Sequence, residues 1–277
     1  MKNGRSRGWL GNSLLVGAVL LALLFLFPLY WMVIASLQPD TARLQLRDLL
    51  PTQFTFANYI DLFAFNPALR WVVNSLAIST LAMIGAVVTS ATAGYVFGKK
   101  DFFARNVLFI LVVGTMALPA AVLLIPRFLM IAGFGWLNTY EGMVAPALAF
   151  PFGVFLVRQF MHAIPNELLE AARIDGASEL KTFMAIVIPL ARPALGAVAI
   201  FAFIHTWTDY LWQLVVANKA DAFTLPVGVA SVAIKDMETQ YGVALAGATI
   251  SFIPMLVIFL LFQRYFVQGI STGAVKG

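Results

Sequence analysis

The sequence predicts an all-α membrane protein of six transmembrane helices, with a two-helix loop on the cytoplasmic side. Three observations carry that expectation. Hydrophobic residues make up 61% of the 277 positions and charged residues only 11%. Six segments are long and apolar enough to cross a bilayer, and the basic residues fall unevenly on the loops between them. Soluble domains run about 45–50% apolar and about 25% charged, so a mean hydropathy of +0.88 leaves too few charges to cover a water-facing surface.

Spanning the hydrocarbon core takes a helix of about 20 apolar residues. The first such segment covers 14–37, within a stretch that carries no charge from Leu10 to Gln38. Bulky residues from Phe25 to Trp31 fill its far end, where a cleaved signal peptide would carry small ones. It is therefore expected to stay in place as a span. The others follow at 71–97, 107–125, 142–161, 186–216 and 243–263, giving a single transmembrane domain over 1–277. Pro28, Pro119, Pro151 and Pro254 fall inside spans, where neighbouring helices or a wet cavity must satisfy the freed carbonyls.

An even number of spans puts both termini on one side. That side receives twelve of the 18 Lys and Arg residues, so the positive-inside rule makes it the cytoplasm. Two long loops, 38–70 and 217–241, then lie outside. The longest cytoplasmic loop is 162–189.

Several function classes are excluded or disfavoured. Without cysteine there is no disulfide framework or thiolate metal site. The two histidines, His162 and His205, are far apart, and no metal-binding cluster surrounds either. Ser75, Ser79 and Ser90 have no basic partner nearby in sequence, which disfavours a membrane-embedded enzyme; such serines more often bond neighbouring helices. The net charge of +5 forms no dense basic stripe, so the basic partner is the bilayer surface and not nucleic acid. A phosphate-binding loop needs glycines and a terminal Gly-Lys-Ser/Thr, and Gly98-Lys99-Lys100 lacks the hydroxyl residue. ATP and magnesium are therefore not expected on this chain, which carries no cofactor. Energy must come from a partner or from an ion gradient. The second option, an ion-coupled secondary transporter, needs ionisable groups at depth. Only His205 and Asp209, one helical turn apart, lie well within an expected span.

The cytoplasmic loop is the most informative stretch. Pro165 suits the first turn of a helix, and Glu167 suits its positive end. Gly176 supplies a left-handed residue to end that helix. Ser178 can cap a second helix carrying Leu180, Phe183, Met184 and Val187, with Pro189 closing it before the fifth span. Ala171, Ala172 and Ala177 leave a slim surface beside Glu170, which could enter another protein's groove. The same residues also suit a connector that packs beneath the membrane and binds nothing.

Glu170-Ala171-Ala172, then Gly176, Ile186 and Ile188-Pro189, resemble the cytoplasmic motif of binding-protein-dependent ABC importer permeases. The one departure is isoleucine at 188, where leucine is usual. Further stretches are similar to the carbohydrate-type permeases, specifically the maltose-type second subunit. These are Phe54 to Tyr59, Asn74 to Leu76, Leu118 to Pro126, Leu137 to Thr139, Trp207 to Trp212 and the ending Gln263 to Gly277. Asp209 stands where asparagine is common. The resemblance implies that 162–189 is a coupling loop docking into a cleft on an ATPase, through Glu170, Ala171, Ala172, Asp175, Gly176 and Ala177. It also implies a second homologous permease, two ATPase subunits and an external solute-binding protein, in a bacterial inner membrane. The tail Gly273 to Gly277 would reach the ATPases as well. The solute would be a sugar or polyol, with Met116, Trp207, Asp209 and Tyr210 as candidate path residues.

Overall fold

Apolar helices dominate the computed structural model, which describes residues 4–39, 53–235 and 241–274. In chain order they are α1 (Gly4–Ser36), α2 (Ala57–Phe65), α3 (Ala68–Lys99), α4 (Arg105–Gly114) and α5 (Ala120–Gly133). Then follow α6 (Tyr140–Leu148), α7 (Pro151–His162), α8 (Asn166–Ile174), α9 (Glu179–Thr182) and α10 (Ile188–Thr208). The remainder are α11 (Leu211–Val216), α12 (Leu225–Lys235) and α13 (Tyr241–Ala274). Five stretches are long and apolar enough to cross a membrane: Leu14–Ser36, Ala68–Lys99, Tyr140–His162, Glu179–Thr208 and Tyr241–Ile258. The bent pair Arg105–Ala117 and Ala120–Gly133 makes a sixth if counted as one.

Three expected spans differ in detail, each for a local reason. The third, expected as one span over 107–125, breaks at Leu118-Pro119 and turns by 103°. Proline drives the preceding residue out of the helical region, and Leu118 is extended with ψ 124°. The fourth breaks at Ala149-Phe150, just before Pro151 opens α7. The fifth begins earlier than expected. Pro189 does not close a separate helix after Ser178; instead α9 runs through a π turn, Phe183–Val187, directly into α10. A proline inside a regular helix clashes with the carbonyl four residues back, and a π turn relieves that clash by widening the ladder there.

Contacts divide the chain into two units. In the first, residues 1–68 and 229–253, the end of α1 is closed by the Phe54–Tyr59 stretch. The last carbonyls of a helix lack internal partners, and Asn58 Nδ2 donates to Ser36 O and Gln38 O at 2.9 Å each. Tyr59 Oη lies 2.7 Å from Ser36 Oγ. Residues 40–52 of the long loop, and 236–240, lie outside the described residues.

The second unit, residues 69–228 and 254–277, is organised around close approach of α3 and α7. Small residues at four-residue steps let two membrane helices touch backbone to backbone. A Cβ on Gly94 would stand 2.6 Å from Val157 Cγ1, and one on Gly98 2.6 Å from Met161 Cβ. One turn earlier, a Cβ on Gly153 would meet Ser90 Oγ at 2.2 Å. Residues 90, 94 and 98 therefore step along 153, 157 and 161 in the same direction, which makes the two segments parallel. Around this seam Ala91, Tyr95, Val157, Met161, Leu169, Val187 and Val198 form a buried core.

This contact predicts a clear asymmetry. Gly94→Ala should cost about 1–3 kcal/mol by overpacking, whereas Gly114→Ala, with nothing within 4 Å, should be tolerated. Thermal unfolding in detergent, followed by size-exclusion chromatography, distinguishes the two.

Candidate functional site

The loop between α7 and α10 is the best-defined candidate. Pro165 is the N-cap of α8 and not its first helical residue. Leu169 and Ala172 face inward and are buried, Leu169 within the core around α3 and α7. Glu170 and Ala171 are exposed beside them. The expected slim surface is thus corrected at one position: Ala172 serves the interior and leaves Ala171 to the outside. The cause is helical geometry, since Leu169 and Ala172 are three positions apart and share one face.

The end of α8 follows from Gly176. Its φ of +75° lies in the left-handed region that L side chains avoid. Gly176 N donates to Arg173 O at 3.0 Å, and Ala177 N donates to Ala172 O at 2.9 Å. This is the paired closure of a Schellman motif, with Asp175 at the C-cap. Two residues later the Ser178 hydroxyl accepts from Lys181 N at 3.3 Å and starts α9. Asp175 and Gly176 stand exposed at the turn and Ala177 is half-buried. Ile174 and Leu180, 86% and 70% exposed, frame the turn with apolar surface.

Side chains from the end of α3 hold this loop. Lys99 Nζ donates to Ile164 O at 2.5 Å and to Asn166 Oδ1 at 2.7 Å, at the start of α8. Tyr95 Oη and Lys100 Nζ both donate to Glu179 Oε1, beyond its end. Arg173 Nη2 lies 3.7 Å from Glu179 Oε2. Lys99 and Lys100 thus secure α8 and α9. Sequence reasoning missed Glu179, because the residues that hydrogen-bond to it, Tyr95 and Lys100, lie 84 and 79 residues away and leave no local pattern.

At the other end of α3 lies a second polar seam. Trp71 Nε1 donates to Ala220 O at 2.8 Å, and Asn74 Nδ2 to Asp221 O and Phe223 O at 2.9 Å each. Ser75 Oγ accepts from Leu225 N at 2.7 Å, and Tyr140 Oη donates to Asn74 Oδ1 at 2.8 Å. Asn138, left-handed at φ +61°, accepts from Asn218 N and Lys219 N. A cleft of about 320 Å³ opens here between Arg70, Asn74, Asn138, Tyr140, Lys219 and Asp221.

The candidate path residues are placed differently from one another. Trp207 is buried and stacks on Phe203, with ring centroids 5.7 Å apart. It therefore belongs to helix packing. Met116 is 48% exposed in the short turn before the Leu118-Pro119 break. Asp209 does not lie inside a span as expected, because α10 ends at Thr208. Its Oδ1 accepts from Trp212 N at 3.2 Å, starting α11. Tyr210 is half-buried at the N-cap of α11.

The fold has a counterpart among known proteins. The family described as binding-protein-dependent transport system inner membrane component matches residues 90–272. This chain belongs to that family. The permease is 34% identical to the arabinooligosaccharides transport system permease protein AraQ of Bacillus subtilis, over 94% of this chain and 93% of that protein. It is 34% identical to the trehalose/maltose transport system permease protein MalG of Thermococcus litoralis, over 95% and 96%. A subunit from the crystal structure of a bacterial ABC transporter involved in alginate import superposes with a TM-score of 0.81. That match covers 96% of this chain and 99% of that one at 24% identity, and supports the fold alone. Membership makes the protein a multi-pass membrane component of a binding-protein-dependent importer and decides against an ion-coupled secondary transporter.

The seam at the start of α3 predicts that Asn74→Ala frees the 217–224 segment, at a cost of about 2 kcal/mol for the two bonds lost to that segment, besides the bond from Tyr140. Limited proteolysis should cut there faster in Asn74→Ala than in Tyr140→Phe, which keeps both carbonyl contacts.

Proposed function

We propose that this permease is the second-type membrane subunit of an ATP-driven importer for a carbohydrate or related polyol, and that α8 is its coupling helix. The observation that carries the reading is the capped loop. Glu170, Ala171, Asp175 and Gly176 are presented to the outside on a helix whose inner face is locked to the bundle. A partner pushing on that surface moves the bundle as well. Glu170 offers a carboxylate to a basic group of the ATPase, while Ala171 and the Gly176 turn allow close approach.

In this reading α8 faces the cytoplasm, and both termini lie on that side. The excess of basic residues on the α8 side supports the assignment. Two ATPase subunits hold the ATP and magnesium, and a second homologous permease completes the solute path. Nucleotide-driven closure of the ATPases would then rock the helices between inward-open and outward-open states. The tail contact at Gly273 to Gly277 is part of the same proposal; residues 275–277 lie outside the described residues. On the opposite side, the seam around Asn74 and residues 217–225 offers a rigid platform to the solute-binding protein.

The solute class is supported by the relatives' names, which speak of arabinooligosaccharides, trehalose or maltose, and sn-glycerol-3-phosphate. Their shared chemistry is a solute that bears several hydroxyl groups. Met116, Asp209 and Tyr210 remain proposed contributors to its path. Trp207, buried and stacked on Phe203, serves packing in this reading.

Two measurements test the function. Purification of the tagged permease in mild detergent should recover an ATPase and a second permease, and the complex should take up a sugar or polyol on ATP addition. Recovery of this chain alone, accumulating solute on an ion gradient without ATP, would overturn the reading. Separately, Gly176→Val forces a β-branched residue to φ +75° and should abolish ATP-driven uptake while the purified bundle stays monodisperse. Uptake retained in that variant would count against α8 as the coupling helix.

A further inference from the structure

We propose that Glu179 is the positioning residue that joins α8 to the end of α3 as one rigid lever. This rests on the reading of α8 as the ATPase-docking helix. Apolar contact alone holds Leu169 and Ala172 against the core, and it is non-directional. A helix held only that way can slide or turn on its support, and force applied to it is dissipated. Directional bonds at both ends remove that freedom.

The bonds come from the last turns of α3 and the residue that follows it. Lys99 grips the start of α8 through Ile164 O and Asn166 Oδ1. Glu179, just past the Gly176 turn, takes hydrogen bonds from Tyr95 and Lys100 on one oxygen and faces Arg173 of α8 with the other. Glu179 is therefore where the end of α8, the start of α9 and the end of α3 meet. An exposed ion pair by itself contributes little to stability, and Glu179 is half exposed. Tyr95 differs, because its ring lies in the buried core and packs 5.2 Å from Phe183. Its hydroxyl carries the bond to Glu179 out of the core itself. The cluster thus ties the loop's register to the α3–α7 seam.

The test uses the complete importer in proteoliposomes. The chain has no cysteine, so Phe103→Cys and Ile174→Cys introduce the only thiols on this subunit for spin labels. Both positions are highly exposed, beside the end of α3 and at the end of α8. The expected distance distribution is narrow and unchanged by ATP. Glu179→Gln should broaden it, and uptake should fall by about tenfold or more, the size of an ordinary coupling between sites. ATP hydrolysis and ATPase co-purification should persist. Lys100→Arg, which keeps the charge, should transport normally. If Glu179→Gln is not recovered folded, Tyr95→Phe removes one bond and should broaden the distribution in the same sense. A narrow distribution and normal uptake in Glu179→Gln or Tyr95→Phe would overturn the lever. So would a distance in the unaltered chain that shifts with ATP. The distance needs no ATPase, so a broadened Glu179→Gln distribution without any ATP-driven uptake in the unaltered chain would separate failure of the proposed function from failure of the lever.

Discussion

Everything in the larger unit leans on the missing side chains of Gly94 and Gly98. Their absence lets Val157 and Met161 of α7 lie almost on the α3 backbone, where dispersion contacts replace the hydrophobic drive that a bilayer does not supply between helices. Tyr95 and Lys99, on other faces of the same turn, are thereby fixed in space, as is Lys100 just beyond them. Those three residues hold the loop, so the geometry of α8 is inherited from the α3–α7 contact.

The polar residues of this apolar chain are spent at helix ends and breaks. Backbone groups freed in a low-dielectric medium are costly unless bonded. Asn58 closes α1, Asn74 and Trp71 hold the segment beyond α11, Thr139 caps α6 and Asp209 caps α11. All but Trp71 fall in a stretch that resembles the carbohydrate-type permeases. Such motifs record where helices stop, and through that where the solute path and the docking loops can be.

Much of the site could be read directly. The Glu170 to Gly176 motif carries its own structural logic, because a glycine one residue past a helix end is a local signal for a left-handed closure. The Gly94 and Gly98 pair went unread, although small residues four apart in a membrane span are a known packing pattern. Other elements were not legible. The π turn at Phe183–Val187 lets the chain pass Pro189 as helix, against the usual sense of proline as a stop. The bend at Leu118-Pro119 divides an apolar run that hydropathy reads as continuous.

By itself the sequence determined the membrane class, the run of apolar segments and the capped loop, because these depend on composition, length and neighbours within a few residues. Only the tertiary structure decided that Ala172 faces inward, that Trp207 is packed away, and that Glu179 gathers Tyr95, Lys100 and Arg173. The reason is distance along the chain. Partners about 80 residues apart are brought together by helix packing, and no local periodicity records which of many charged residues will meet.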